Sequence, residues 1–302
     1  MARVIVFGSI NADLIFPVRT LPAPGQTIMA AGMTIEPGGK GANQAAAASR
    51  DGAAVVMAGA IGQDGLAATA LAGLIAAGVD LSRVMPCSAP TGCASICTDL
   101  EGRNQIAVAS GANVQARQSA IEGALLTPEA IVVTQMETDP AETAALIRRA
   151  HASGALLIHN LAPPAALAPD ALCLLDILVV NEDEATWLAR HEGIAGDDAL
   201  ALSAKLGVTV VRTLGSAGVE WAGPLGRGEI AAAPVLAVDT TAAGDCFVGV
   251  LAAALSRGDS LVAGLRRANA AAGLACTRHG SQSSLPNSTE TNAALKQRTP
   301  SP

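Results

Sequence analysis

The sequence predicts an α/β fold, a mostly parallel sheet flanked by helices with a small β-sheet lid beside it, and three observations carry that reading. From Ala53 onward, short apolar runs near Val55, Ile131, Leu157, Ile177 and Val210 alternate with helical patterns over Gly65 to Ala77, Ala141 to His151, Glu182 to Arg190 and Asp197 to Leu206. Such alternation gives parallel strands with helices packed on both faces. Two stretches break it, Phe16 to Ile35 and Thr91 to Ala109, the second with G-R-N-Q between two β-like runs; both read as strand material outside the main sheet. Finally, the run ending at Val180 meets N-E-D-E, which sets polar groups at the carboxyl edge of the sheet, where open α/β sheets bind ligands. With 302 residues the chain is expected to form one large unit over 1–302, with lid segments at about 12–35 and 91–109 inserted in it.

In chain order, Arg3 to Phe7 is a buried strand ending at Gly8, followed by S-I-N-A-D. Asn11 and Asp13 stand two apart, so in an extended segment they share one side and face one polar ligand; turn chemistry is the other use of such residues. Pro22 to Gly25 reads as a turn and Thr27 to Ile35 as a second strand. E-P-G-G-K-G-A-N-Q then opens an Ala-rich helix to about Arg50, where Gly38, Gly39 and Gly41 allow close backbone approach. Lys40 and Asn43 supply donors suited to hydroxyls or phosphate. This is not a Walker A loop, because Thr34 and Gly41 stand where that motif needs Gly and Ser or Thr.

Asn181 with Glu184 three residues on suits a ligand edge or, equally, a helix N-cap. T-L-G-S-A-G at Thr213 follows the next strand and offers a small-residue loop. Neither G-x-G-x-x-G nor G-x-S-x-G occurs there, which weakens dinucleotide and hydrolase readings. Val238 to Val250, V-D-T-T-A-A-G-D-C-F-V-G-V, runs from a strand end through small residues into a helix to about Ser256. Ala242, Ala243 and Gly244 expose their amides where the helix begins, a place that attracts anions. Asp245 beside them reads as a general base next to an anion cradle, or more plainly as an acid complementing the helix dipole. The tail after Pro286 is expected to fray.

Composition narrows the partners. A net charge of −7 without a run of Lys or Arg argues against nucleic acid and anionic membranes. Val4 to Phe7 is too short for a signal peptide or a span, so a cytoplasmic location is expected. Six cysteines without a C-x-x-C pair read as small buried hydrophobes, and the four scattered histidines suggest neither metal cluster nor triad.

Taken together, G-S-I-N-A-D, P-G-G-K-G-A-N-Q-A, S-G-A-N at Ser110, Q-M-E at Gln135, N-L-A-P at Asn160, N-E-D-E, T-L-G-S-A-G and D-T-T-A-A-G-D resemble the ribokinase-like carbohydrate kinases of the PfkB family. The resemblance runs from Val4 to about Pro286 and implies a three-layer ribokinase-like fold. It implies ATP-dependent phosphorylation of the primary 5-hydroxyl of D-ribose, giving ribose 5-phosphate and ADP. By the same resemblance Asn11, Asp13, Gly39, Lys40, Asn43 and Glu137 hold the sugar, with Asp245 on the attacking hydroxyl. Asn181, Thr213, Gly215, Ser216, Gly218, Gly244 and Asn269 line the ATP side, and Glu184 helps organise Mg2+ through waters. The one visible departure is Ala242, where many members carry Gly.

Potassium activation is also expected. Asp239 and Thr241 immediately precede the cradle residues, and the family's cation site adds oxygens from the segment matching Ala275, Arg278, Gly280 and Ser284. The plainer alternative is that Asp239 caps the turn and pairs with Arg278. The lid is expected to cover its unpaired edges and apolar face by pairing with its copy in a homodimer. Deoxyribose and nucleoside kinases are rival readings, the latter disfavoured because the chain has no Tyr, three Phe and two Trp. A non-catalytic sugar sensor is the rival from another class, although it would not need to keep Asp245.

Overall fold

The computed structural model describes residues 2–297. In chain order its elements begin with β1 (Arg3–Phe7), β2 (Asn11–Pro17), β3 (Thr34–Gly38), α1 (Lys40–Arg50), β4 (Ala54–Gly62), α2 (Ala67–Ala76) and β5 (Asp80–Cys87). They continue with β6 (Gly92–Thr98), β7 (Asn104–Ala109), β8 (Ile131–Thr134), α3 (Pro140–Ala152), β9 (Leu156–Asn160), α4 (Pro169–Leu172) and β10 (Ile177–Asn181). Last come α5 (Glu182–Glu192), α6 (Ala199–Leu206), β11 (Thr209–Thr213), β12 (Gly218–Gly223), β13 (Gly226–Ala231), α7 (Ala243–Ser256), α8 (Leu261–Ala275) and α9 (Ser288–Gln297). None of the described helices is long and apolar enough to cross a membrane.

Nine strands form one sheet in the order β13-β12-β11-β10-β9-β8-β1-β4-β5, parallel except at β12 and β13. β1 shows why a continuous apolar run belongs at its centre. Val4 and Val6 enter a core with α1, α7 and α8, while Ile5 and Phe7 enter the other core with α3, α5 and α6. Every one of those four side chains is fully buried, as a strand covered on both faces requires. The second sheet, β3-β2-β6-β7, has four strands; it takes in most of Thr91 to Ala109 but only the two ends of Phe16 to Ile35, whose middle is loop.

Three expectations change. The strand expected over Thr27 to Ile35 is β3 at Thr34–Gly38, where Glu36 pairs across to Asp13 and Pro37 to Ala12. Pro37 is tolerated because β3 is an edge strand. The tail after Pro286 does not fray through Gln297: Asn287 and Glu290 exchange capping hydrogen bonds at 2.8 and 3.0 Å and start α9. The part of that expectation beyond Gln297 lies outside the described residues. Only Cys246 of the six cysteines is fully buried, while Cys173 is exposed and the rest are half-buried. The hairpin β12 and β13 went unread.

Alanine richness acts where α1 meets α7. A Cβ on Gly249 would lie 2.3 Å from the Gln44 carbonyl oxygen and 2.7 Å from the Ala47 Cβ, so the two helices touch backbone to backbone. Gly249 is one turn after Asp245, and this closeness brings the start of α1 against the start of α7. At the other end of α1, buried Asp51 receives Arg267 Nε and Nη2 at 2.7 and 2.6 Å and Arg257 Nη2 at 3.0 Å.

Candidate active site

The α7 start is built around an unusual backbone. Ala242 has φ 57°, left-handed, alone among the described non-glycine residues. Such a conformation costs an alanine about 1–2 kcal/mol. The Ala243 amide turns back to the Thr240 carbonyl at 3.2 Å, and the Cys246 amide donates to the Ala242 carbonyl at 2.8 Å. No side chain caps the helix, and the Gly244 and Asp245 amides find no acceptor among the described residues. Ala243 is therefore a weaker anion donor than the sequence suggests, and the anion-facing amides centre on Gly244.

The Asp245 carboxylate is buried and held by neutral amides. Asn43 Nδ2 donates to Oδ2 at 2.9 Å and Gln44 Nε2 to Oδ1 at 3.0 Å, both from the first turn of α1. Lys40, at the head of α1, lines the same cavity of about 210 Å³ with Asn160, Asn181, Glu184, Thr213 and Ala242 to Asp245. Burial alone would depress the Lys40 ammonium. Asp245, Glu137, Glu184 and Asp13 outweigh burial and hold it above its ordinary value.

On one side a cavity of about 540 Å³ continues past Thr213, Gly215, Ser216, Gly218, Gly244 and Asn269. Its walls include Ala232, Val235, Phe247 and Ala272, apolar surface suited to a flat ring. Asn269 donates to the Ala231 carbonyl at 3.0 Å, which fixes β13 over this cavity. On the other side a cavity of about 740 Å³ lies under the small sheet, lined by Asp13, Glu36, Asn104, Asp239, Thr240, Thr241 and Gly280 among others. Thr240 lines all three spaces.

Asn11 and Asp13 do share one side of β2. Asn11 Oδ1 accepts from Asn113 Nδ2 at 2.7 Å, and Asn113 Oδ1 accepts the Ile10 amide at 2.9 Å. Burial, reinforced by Glu137, Asp245 and Glu36, raises the Asp13 carboxyl to about 7 against the pull of Lys40. Glu137 accepts from the Ser9 hydroxyl and, at 3.2 Å, from the Lys40 amide, which seats it at the start of α1 next to Gly39. Asn43 and Glu137 thus stand one hydrogen bond behind lining residues.

Asn181 and Glu184 form a full capping box on α5, with the Glu184 amide donating to Asn181 Oδ1 at 2.8 Å and the Asn181 amide to Glu184 Oε2 at 2.8 Å. The N-cap reading of this pair holds, and both residues also line the 210 Å³ cavity. Burial raises Glu184 to about 7, although the Asn181 amide and Lys40 pull the other way.

The six residues of the expected cation site divide. The Asp239 carboxylate takes the Thr241 amide at 2.8 Å and the Gly280 amide at 2.9 Å, which joins the two chain segments. The Arg278 amide donates to the Ala275 carbonyl, and its side chain pairs with Glu290, not with Asp239. Ser284 donates its hydroxyl to the Ser281 carbonyl at 2.8 Å.

Reading the sequence missed Gln44, Asn113, Gln135, Asn160 and Gln282, which hold the site by side-chain amides. The first four lie inside motifs already quoted and Gln282 inside the Ala275 to Ser284 segment, but membership of a motif does not say which of its amides reach the site.

Comparison with known proteins agrees with this geometry. Residues 1–288 match the pfkB family carbohydrate kinases. The chain is 35% identical over 295 residues to a ribokinase of Haemophilus influenzae, covering 95% of this chain and 96% of that protein. It is similar in structure to a ribokinase of Thermotoga maritima, with TM-score 0.88, 31% identity, and 98% and 100% of the two chains covered. A ribokinase of Arabidopsis thaliana, solved with ribose and ATP, superposes with TM-score 0.87 at 29% identity, covering 98% of this chain and 99% of that one. The chain belongs to the pfkB family of carbohydrate kinases, phosphotransferases with an alcohol group as acceptor.

Proposed function

We propose that this protein transfers the γ-phosphoryl group of ATP to the primary 5-hydroxyl of D-ribose, yielding ribose 5-phosphate and ADP. The observation that carries this is Asp245, a buried carboxylate lining the 210 Å³ cavity, one residue after Gly244, where that cavity meets the apolar one beside unpaired helix-start amides. The sugar lies under the small sheet against Asn11, Asp13, Gly39, Lys40, Asn43 and Glu137. ATP lies along Asn181, Thr213, Gly215, Ser216, Gly218, Gly244 and Asn269. Asp245 receives the hydroxyl proton late in an in-line transfer, while the Gly244 amide and Lys40 offset charge on the moving phosphoryl group. No phosphoenzyme is needed. Closure of the small sheet over the sugar excludes water from the transfer.

Glu184 and Asp245 both line the 210 Å³ cavity and offer hard oxygen donors there, although no three carboxylate, His or Cys side chains cluster as a ready metal site among the described residues. Glu184 would hold Mg2+ through waters, and the ion supplies charge neutralisation between the phosphates. A K+ ion held by Asp239, Thr241, Ala275, Arg278, Gly280 and Ser284, mostly through carbonyls, would steady the turn that aims Gly244. The Asp239 carboxylate already bridges these two segments, which supports that placement. β7 is an exposed edge with Ile106 and Val108 each 51% accessible, and a homodimer through the small sheets would cover it. The reading places one domain over residues 1–302, working in the cytoplasm.

The test is ADP release over a panel of ribose, deoxyribose, hexoses and nucleosides, in K+ and in Na+ at equal ionic strength. Ribose should give the highest kcat/KM, and K+ should raise kcat. A preference for nucleosides would overturn the substrate, for which the walls of the 740 Å³ cavity offer no Phe, Trp or Tyr to stack a base. No turnover with any acceptor would favour the sugar sensor.

A further inference from the structure

Both oxygens of Asp245 are held by amide side chains, and each of those amides is itself held by a glutamine from a distant part of the chain. Gln282 Nε2 donates at 3.1 Å to Asn43 Oδ1, and Asn43 Nδ2 donates to Asp245 Oδ2. Gln135 Nε2 donates at 2.6 Å to Gln44 Oε1, and Gln44 Nε2 donates to Asp245 Oδ1 and, at 3.1 Å, to Asn160 Oδ1. All four amide side chains are buried. Gln135 comes from the end of β8 and Gln282 from the segment after α8.

The polarity of both chains of amides follows from the base. A carboxylate only accepts, so Asn43 and Gln44 must turn their NH2 groups to it. Their carbonyl oxygens then point away into buried surroundings and need donors. Without an outer glutamine, the inner amide oxygen is left unpaired in the interior and the amide loses the contact that fixes its plane against the carboxylate. An outer Glu, an acceptor only, would leave that oxygen unpaired in the same way.

We infer that Gln282 and Gln135 are positioning residues for Asp245, acting through Asn43 and Gln44 to keep both carboxylate oxygens aimed and served by N–H donors. The far end of each relay meets a glycine. A Cβ on Gly8 would lie 1.9 Å from Gln135 Oε1, and one on Gly73 would lie 1.8 Å from Gln282 Oε1. Gly73 lies on α2, and its absent side chain makes room for the Gln282 amide.

The inference rests on Asp245 as the base, and the experiment separates the two. Gln282→Met and Gln135→Met, which keep side-chain length and remove the amide, are made in the wild-type and Asp245→Asn backgrounds. In the wild type each should lower kcat by about tenfold to a hundredfold, the scale on which misplaced catalytic groups act. KM for ATP should stay near wild type, and the melting temperature should fall only modestly, by what one unpaired buried carbonyl costs. In Asp245→Asn, with no carboxylate to aim, neither should reduce the residual rate further. Wild-type kcat in both methionine variants, beside a crippled Asp245→Asn, overturns the relays alone; full activity in Asp245→Asn overturns the base. An equal loss in both backgrounds also overturns the relays, since it reports general damage. Should the methionine variants fail to fold, Gly73→Ala decides. It favours the helix by about 1 kcal/mol and displaces the flexible end of Gln282, so kcat should fall severalfold without loss of stability. Unchanged kcat there counts against the proposal.

Discussion

Asp51 and Asp245 are both buried carboxylates on the α1 and α7 pair, one at each end, and they are held in opposite ways. Asp51 is surrounded by two guanidinium groups, Arg267 and Arg257. Asp245 receives two neutral amides, with Lys40 as the nearby cation acting through space. A carboxylate gripped by arginines has both oxygens committed to a structural bridge. Neutral amides fix position without cancelling the charge, as the role proposed for Asp245, taking a proton from a substrate, requires. Structure and catalysis thus use one side chain in two environments.

Four substitutions would break or sharpen this contrast. Asp51→Ala leaves the buried Arg267 without its carboxylate and takes one of two acidic partners from the half-buried Arg257, and should cost about 3–5 kcal/mol of stability in denaturant unfolding. Its kcat, measured where the variant is folded, should stay close to wild type. Asp245→Asn should do the reverse, cutting turnover by at least about a hundredfold with little change in melting. Near-normal turnover would sink the assignment of the base. Gly249→Ala lies between the two carboxylates and should affect both readouts. Overpacking against the Gln44 carbonyl should cost about 1–3 kcal/mol and also lower kcat by drawing α1 away from Asp245.

The smallest effect concerns pH. The Asp13 carboxyl is raised from 3.8 to about 7, so the folded state binds a proton that the unfolded state has released. That contribution is fully present below about 4 and is lost as pH rises through about 7. His159, pushed by burial from 6.5 down to about 3, works in the opposite sense and costs stability as pH falls from 6.5. Asp13→Asn isolates the first. Its melting temperature should exceed wild type at pH 8, and the gap should close towards pH 5. A constant gap would show that Asp13 is charged throughout.

Much of the main sheet was legible because strands buried on both faces are written as continuous apolar runs, as in Val4 to Phe7 and Ile177 to Val180. The hairpin β12 and β13 was not, since Gly218, Gly223, Gly226 and Gly228 read as loop and its outer strand is mostly exposed. β3 was misplaced because Pro37 and Gly38, strand breakers by composition, complete an edge. At the site, Asn11, Asp13, Lys40, Glu184 and Asp245 stood out as polar groups at strand ends or helix starts. Gln44, Gln135 and Gln282 did not, because their partners lie 91 to 239 residues away and a lone glutamine carries no local signal.

Ala242 gives the turn before α7 a discrete character. Glycine there would drift over a broad territory, since both signs of φ are open to it. Alanine has one narrow left-handed basin and, across a steric barrier, the ordinary right-handed region. The turn therefore has two settings, amides aimed or the first coil of α7 undone, with little between them. A single methyl group converts a continuum of misalignments into a latch. Ala242→Gly should remove the penalty of about 1–2 kcal/mol on the left-handed setting, so the melting temperature should hold or rise while the direction of the Gly244 amide becomes less sharply defined.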